Sequence, residues 1–188
     1  AATACVCNAG FSGLDGGPCA ECGAGKFTFD PVTNVRLNPP EASRSYSNLY
    51  AGQAPGTGHT RSMLDSAQAF SAWTLGTGEW MQIDLGEIQQ VSGVVIQKRK
   101  APTNNQYVIQ VDLLSSTDGI TFTTISMITT VYDAQDTSEH VFGATITARY
   151  IRFDIKTWSS YPSMRAGVLV PEAGTTVCKA CPLGSDSA

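Results

Sequence analysis

Few residues in this chain have chemistry to offer, and their spacing favours binding over turnover. The 2 histidines, His59 and His140, stand far apart. No Gly-x-Ser-x-Gly elbow, phosphate-cradling glycine loop, His-x-x-x-His pair or Cys/His dyad occurs in the sequence. Paired carboxylates for glycoside hydrolysis need not be neighbours, so spacing leaves that route open, but nothing else argues for an enzyme. The 6 cysteines are more informative: Cys5, Cys7, Cys19 and Cys22 near one end, Cys178 and Cys181 near the other, none between. Cysteines crowded into glycine-rich segments too small to bury a core are expected to form disulfides in an oxidising compartment, which predicts an extracellular chain, secreted or at the cell surface. The alternative is zinc, since Cys19-x-x-Cys22 and Cys178-x-x-Cys181 make a four-thiolate set. The additional Cys5-x-Cys7 pair fits stapled loops better.

Charge and composition narrow the partners and the fold. The 12 basic and 16 acidic residues leave a net charge of -4, which supplies no excess positive field for nucleic acid. No run approaches the roughly 18–20 unbroken apolar residues that span a bilayer. The opening AATACVCNAG lacks the basic start and apolar stretch of a signal peptide. The expectation is a chain with no transmembrane segment, whose targeting signal was removed or lies outside it. With 42% hydrophobic and 15% charged residues, and Thr, Ser, Val, Ile and Gly abundant, the composition predicts β structure rather than disorder or long surface helices.

The elements that must position any site are read from period-two patterns. Trp80 to Leu85 sets Met81, Ile83 and Leu85 against Trp80, Gln82 and Asp84. A strand is expected over Val91 to Lys98, and another over Tyr107 to Leu114 with Tyr107, Ile109, Val111 and Leu113 on one face. Asp118-Gly119 predicts a tight turn, with Ile120 to Ile125 as the returning strand. Arg149, Ile151, Phe153 and Ile155 share a face opposite Tyr150, Arg152, Asp154 and Lys156, and Met164 to Val170 closes the series. Only Arg61 to Trp73 has room for a turn or two of helix. Short strands between turns, without a βαβ crossover, predict an all-β antiparallel sandwich or barrel. The expected organisation is a cysteine-rich segment and linker over 1–36, the sandwich over 37–170, and a second linker and cysteine-rich start over 171–188.

The run SAWTLGTGEWMQIDLGEIQQVSGVVIQKRK resembles the first half of a discoidin domain, also called the coagulation factor 5/8 type C domain. LLSSTDGITFTTI is similar to its strand, Asp-Gly turn and strand, and ARYIRFDIKTWSSYPSMRAGVLV to its closing elements. The likeness covers about residues 38–170 and implies a jelly-roll β-sandwich or barrel. It further implies an adhesive module that binds carbohydrate, lipid, collagen or other proteins through loops at one barrel end. Here those loops are 43–60, 98–106 and 158–164. They supply Arg44, Tyr46, Tyr50, Lys98, Arg99, Asn104, Asn105 and Tyr161 as candidate ligand residues, with His59 nearby. Planar donors beside aromatic rings suit a sugar's rim and its apolar face, and also a carboxylate or sulfate. The plainer reading of Lys98-Arg99-Lys100 is a solvated charge run. Trp73 and Trp80 read as buried structural rings, and Asp84 as the partner of Arg149, Arg152 or Arg165.

The resemblance also bears on the ends. Cys5-x-Cys7-Asn-Ala-Gly-Phe is similar to the last part of an EGF-like or ephrin-receptor-like repeat, which implies Cys7–Cys19. Discoidin domains commonly join their two ends, which implies Cys22–Cys178. Cys5 and Cys181 are then left for adjacent segments or chains, either because the chain is one segment of a longer polypeptide or because copies join head to tail. No cofactor is expected; a structural calcium stays open, since its ligands cannot be matched residue by residue. The partner is expected to be a glycan or an extracellular matrix or surface protein. The alternative is a structural repeat of an extracellular filament or surface assembly, whose sandwich contacts neighbouring chains. Lipid insertion ranks below these, because the loop tips show no assignable pair of exposed Leu, Phe or Trp.

Overall fold

The computed structural model describes residues 34–100, 102 and 105–172, together with the backbone of four short strands outside that range. In chain order the strands are β1 (Phe11–Ser12), β2 (Ala20–Glu21), β3 (Lys26–Phe29), β4 (Asn34–Leu37), β5 (Arg44–Tyr46) and β6 (Phe70–Ser71). They continue as β7 (Trp80–Gln97), β8 (Tyr107–Ser116), β9 (Thr123–Thr129), β10 (Thr137–Ser159), β11 (Ser163–Pro171) and β12 (Val177–Ala180). The chain divides into two units, Arg36–Val170 and a second formed by both flanks, Ala1–Val35 with Pro171–Ala188. In the flanking unit β1 pairs antiparallel with β2, and β3 with β12. The side chains of all the cysteines lie outside the described residues. So do the expected Cys7–Cys19 and Cys22–Cys178 bonds, the roles of Cys5 and Cys181, and the zinc alternative.

The central unit carries one hydrogen-bonded sheet in the order β4-β11-β7-β10-β8-β9, with β5 added on β7 and β6 on β11. Two long strands fold this sheet into two layers. The first half of β7 pairs with β5 and with the second half of β10, placing Ile83 between Arg44 and Ile151. Its second half pairs with β11 and the first half of β10, placing Val95 between Gly167 and Glu139. Gly86, at φ 83, lies where the two halves meet, and a side chain there would strain the backbone. The register of β10 on β7 breaks between Val141 and Ile146 and between Ala148 and Tyr150, and such bulges add bend and twist. The expected sandwich or barrel is corrected to a sandwich: among the described residues no pairing joins β4 to β9, so the sheet stays open. The expected stapling of the ends rests on cysteines outside the described residues.

The core follows from the alternation. Met81, Ile83, Ile151, Phe153 and Ile155 are fully buried with Phe70, Val94, Ile96 and Met164. Val91 to Gln97 is buried on both faces because a second cluster, Leu64, Val95 and Leu169, covers its far side. In β8 the expected face holds at Val111 and Leu113 but not at Tyr107 and Ile109, where Val108 points inward instead, since a register shift near Thr157 moves the phase. The returning strand begins at Thr123 rather than Ile120, after a turn in which Asp118 accepts from the Ile120 and Thr121 amides at 2.8 Å each. Those bonds hold the Asp118 carboxyl down at about 2.

No helix forms over 61–73. The amides of Ser62 and Met63 donate to Glu41 Oε1, that of Leu64 to Asn38 Oδ1 and that of Asp65 to Gln97 Oε1. Side-chain acceptors thus take the donors a helix would pair. Short 3-10 turns stand instead at Glu41–Ser43, Tyr50–Gly52 and Gly58–Thr60.

Candidate ligand-binding site

Interior anchors set the loops at one end of the sandwich. Arg44 is 6% exposed. Its guanidinium donates to the carbonyls of Pro39, Ser62 and Ala166 at 2.9–3.1 Å and to Asn38 Oδ1 at 3.1 Å. Tyr46 stacks on Phe70 with ring centroids 4.8 Å apart, and its hydroxyl sits 2.7 Å from Ser62 Oγ and 3.0 Å from Glu41 Oε2. Burial pushes the Tyr46 phenol well above its ordinary range. Both residues thus hold the loop interior rather than an open surface. The buried Glu79 fixes the neighbouring loop: Ser47 Oγ donates to it at 2.5 Å, Asn48 Nδ2 at 2.7 Å, and Thr74 Oγ1 as well. Asn48 Oδ1 in turn accepts from the Trp73 amide at 2.6 Å.

On this base Tyr50, His59, Ser71, Arg99, Gln106 and Tyr161 line a cavity of about 190 Å³. Four separate pieces of chain supply them. Tyr50 rides on a 3-10 turn whose next residue, Ala51, has φ 51. The His59 amide donates to Gln53 Oε1 at 2.7 Å, while buried Thr60 ties the turn to the carbonyls of Ala54 and Thr57. Ser71 Oγ lies 2.9 Å from Ser163 Oγ, which joins β6 to β11 just after the turn that carries Tyr161. The Tyr50 ring is the hub, with centroids of His59, Trp73 and Tyr161 at 4.9, 5.6 and 6.0 Å. Arg99 is held by Gln68 and Gln106 through their amide oxygens. Burial, and then the charge of Arg99, lower the pKa of His59, so its ring is neutral near pH 7. Aromatic faces set at angles around fixed donors form a concave site for a ring-shaped polar molecule.

The structure brings together Tyr50, Arg99 and Tyr161 from the sequence candidates, with His59 beside them. Lys98 turns to the other side of its strand, where it pairs with Asp136 at 3.1 Å and lies 4.9 Å from the ring centroids of Tyr107 and Tyr132. Asn105 is at the rim, its Nδ2 donating to Ser160 Oγ at 3.4 Å. Asn104 lies outside the described residues. Sequence reasoning did not single out Ser71, Gln106 or Gln68. The signal for Gln106 was its place beside the Tyr107 strand, at the end of a loop already chosen. Trp73, expected in the interior, is 53% exposed, and Leu75 beside it is 60% exposed. Asp84 pairs with Arg149 through two bonds of 2.8 and 3.0 Å, whereas Arg152 lies over the Trp80 and Phe122 rings and Arg165 serves backbone carbonyls. Among the described residues no group of three or more His, Cys, Asp or Glu is arranged to hold a metal.

Residues 41–168 match the F5/8 type C domain, and the chain belongs to that family. It is similar to lactadherin of Rattus norvegicus, 30% identical over 147 residues that make up 68% of this chain and 32% of that protein. It is also similar to coagulation factor VIII of Sus scrofa, 29% identical over 141 residues, 70% of this chain and 6% of that one. The chain therefore spans at most about a third of these relatives. Among solved structures, discoidin II of Dictyostelium discoideum shares the fold with a TM-score of 0.55 at 14% identity, covering 75% of this chain and 59% of its own. An F5/8 type C domain from Bacteroides fragilis gives 0.59 at 14%, covering 73% and 97%. The family 32 CBM of C. perfringens NanJ, solved in complex with galactose, gives 0.55 at 17%, covering 72% and 100%. At such identities the likeness is one of fold. The family match ends at 41 and 168, so the reading of the flanks as EGF-like or ephrin-receptor-like repeats gains nothing from it.

Proposed function

We propose that this chain is an extracellular adhesive module that binds glycans in the cavity between Tyr50, His59, Arg99 and Tyr161. The observation that carries the reading is the convergence, from separate loops, of angled aromatic rings on a fixed guanidinium around a cavity of about 190 Å³. Ring faces cover the apolar side of a pyranose while planar donors take its hydroxyls. The galactose complex of the structurally similar NanJ module supports a sugar as occupant. A glycan array with the chain, followed by titration of each hit, tests it. Tyr161→Ala and Tyr50→Ala are expected to weaken binding about tenfold, the loss of one aromatic contact. A blank array from folded protein would refute the reading.

A second reading rests on a different observation. The loop between β6 and β7 presents the exposed Trp73 and Leu75 next to the cavity. An apolar pair at a loop tip is what a lipid interface accepts. Sedimentation with phosphatidylserine-containing vesicles separates the two readings. Binding that persists in high salt and is lost in Trp73→Ala identifies insertion, and vesicles that leave the chain in the supernatant dismiss it.

A further inference from the structure

The cavity's charge narrows the occupant further than its shape does. Arg99 is its fixed cation. The described partners of Arg99 are all neutral: Nε and Nη2 donate to Gln68 Oε1 at 3.1 and 2.8 Å, and Nη1 to Gln106 Oε1 at 2.6 Å. Four other basic side chains have carboxylates: Arg36 has Glu139, Lys98 has Asp136, Arg149 has Asp84, and Lys156 has both Asp112 and Asp154; Arg44, Arg61 and Arg165 donate to backbone carbonyls and Arg152 to Gln82, none of them lining the cavity. No ion pair among the described residues includes Arg99, and no Asp or Glu lines the cavity. The nearby Glu79 is 5% exposed and already accepts from Ser47, Asn48 and Thr74. Two amide oxygens therefore fix the plane of the guanidinium without cancelling its charge.

An uncancelled, oriented guanidinium in a partly closed cavity favours an anion, because charge-assisted bonds to a carboxylate or sulfate are about twice as strong as those to a hydroxyl. The opposite wall is aromatic, so the same molecule must also present a ring face to Tyr50 and Tyr161. We propose that the cavity selects saccharides that carry a carboxylate or sulfate over their neutral counterparts, with Arg99 reading the acidic group and Tyr50 and Tyr161 covering the sugar ring. This rests on the glycan-binding reading of the cavity and adds the charge class of its ligand.

The test is an amide-resonance titration of the full chain with D-galactose, D-galacturonate and D-galactose 6-sulfate at constant ionic strength. At least one acidic sugar is expected to bind about tenfold or more tightly than galactose, with shifts centred on Tyr50, His59, Arg99 and Tyr161. Whichever acid is preferred names the group that is read. In Arg99→Gln the advantage of the acid should vanish, with galactose weakened less than either acid because it loses only a neutral hydroxyl's donor there, and Tyr161→Ala should weaken all three sugars alike. The wild-type comparison needs no variant, so it decides the preference even if Arg99→Gln does not fold. Equal binding of galactose and both acids overturns the anion preference and leaves glycan binding standing. A preference that survives in Arg99→Gln overturns the assignment to Arg99. If no array-positive glycan and none of the three sugars moves the cavity resonances, both readings fall.

Discussion

Two arginines, Arg44 and Arg99, show how far a residue's type stands from its role. Both lie in loops that the sequence marked by their mix of basic and aromatic residues, and both were candidates for a ligand. Arg44 instead bonds carbonyls in the interior, a fact that depends on contacts with Ser62 and Ala166 far along the chain and leaves no local trace. Arg44→Met is expected to lower unfolding free energy by about 3 kcal/mol, because several buried acceptors lose their donor. Urea denaturation would show it, and the folded fraction should bind sugars as before. Around Arg99 the prediction concerns protons. His59 and His140 both bind a proton more weakly folded than unfolded, His59 through burial and Arg99, His140 through burial. Stability should therefore fall as pH drops from the ordinary histidine value of about 6.5 through their lowered folded values, and level off below. Proton NMR on Arg99→Gln should find the His59 midpoint raised and that of His140 unmoved. At lower pH the carboxylates take over. Asp84 and Asp118 are held below their ordinary range, so their contributions persist above it and are lost as pH falls through the folded values, about 2 for Asp118.

At the scale of strands, alternation read well where partners were regular and failed where register shifted. Trp80 to Leu85 and Ile151 to Ile155 placed their buried residues correctly. Tyr107 to Leu114 did so only at Val111 and Leu113, since the bulge that moves Val108 inward belongs to β10, remote in sequence. The two expected strands at 80–85 and 91–98 proved to be one, because β10 follows β7 on both sides of the bend. The site was legible to a similar depth. The family resemblance named loops that here line the cavity, but the different surroundings of Lys98 and Arg99, just past the end of β7, had to come from the structure. The closest approach lies at Gly93, where an added Cβ would stand 2.3 Å from the His140 carbonyl and 3.0 Å from Val141 Cα. Neither neighbour can yield, being backbone, so Gly93→Ala is expected to cost about 2–3 kcal/mol. Gly143, in the neighbouring strand β10, would meet nothing within 4 Å, and Gly143→Ala should leave the chemical denaturation midpoint nearly unchanged. A similar loss in both would refute the packing argument.

For the whole molecule, the net charge of -4 sets a general repulsion against acidic polymers, so any acidic sugar must be recognised at short range. Connectivity has a separate consequence. Residues 36–170 lie between the two flanks that form the second unit, and β3 pairs with β12 across them. To that pairing the entire sandwich is a loop. An unstructured loop would charge the pairing an entropy that rises with the logarithm of its length, about 0.6 kcal/mol for each doubling. The folded sandwich removes most of that term, because β4 and β11, which begin and end it, are neighbours in its sheet. Melting the sandwich restores it. Hydrogen exchange at the amides of β3 and β12 should then accelerate in Gly93→Ala in step with that of β7 and β10, although the substitution touches neither flank. The sandwich thus acts, for its own flanks, as a folded clasp.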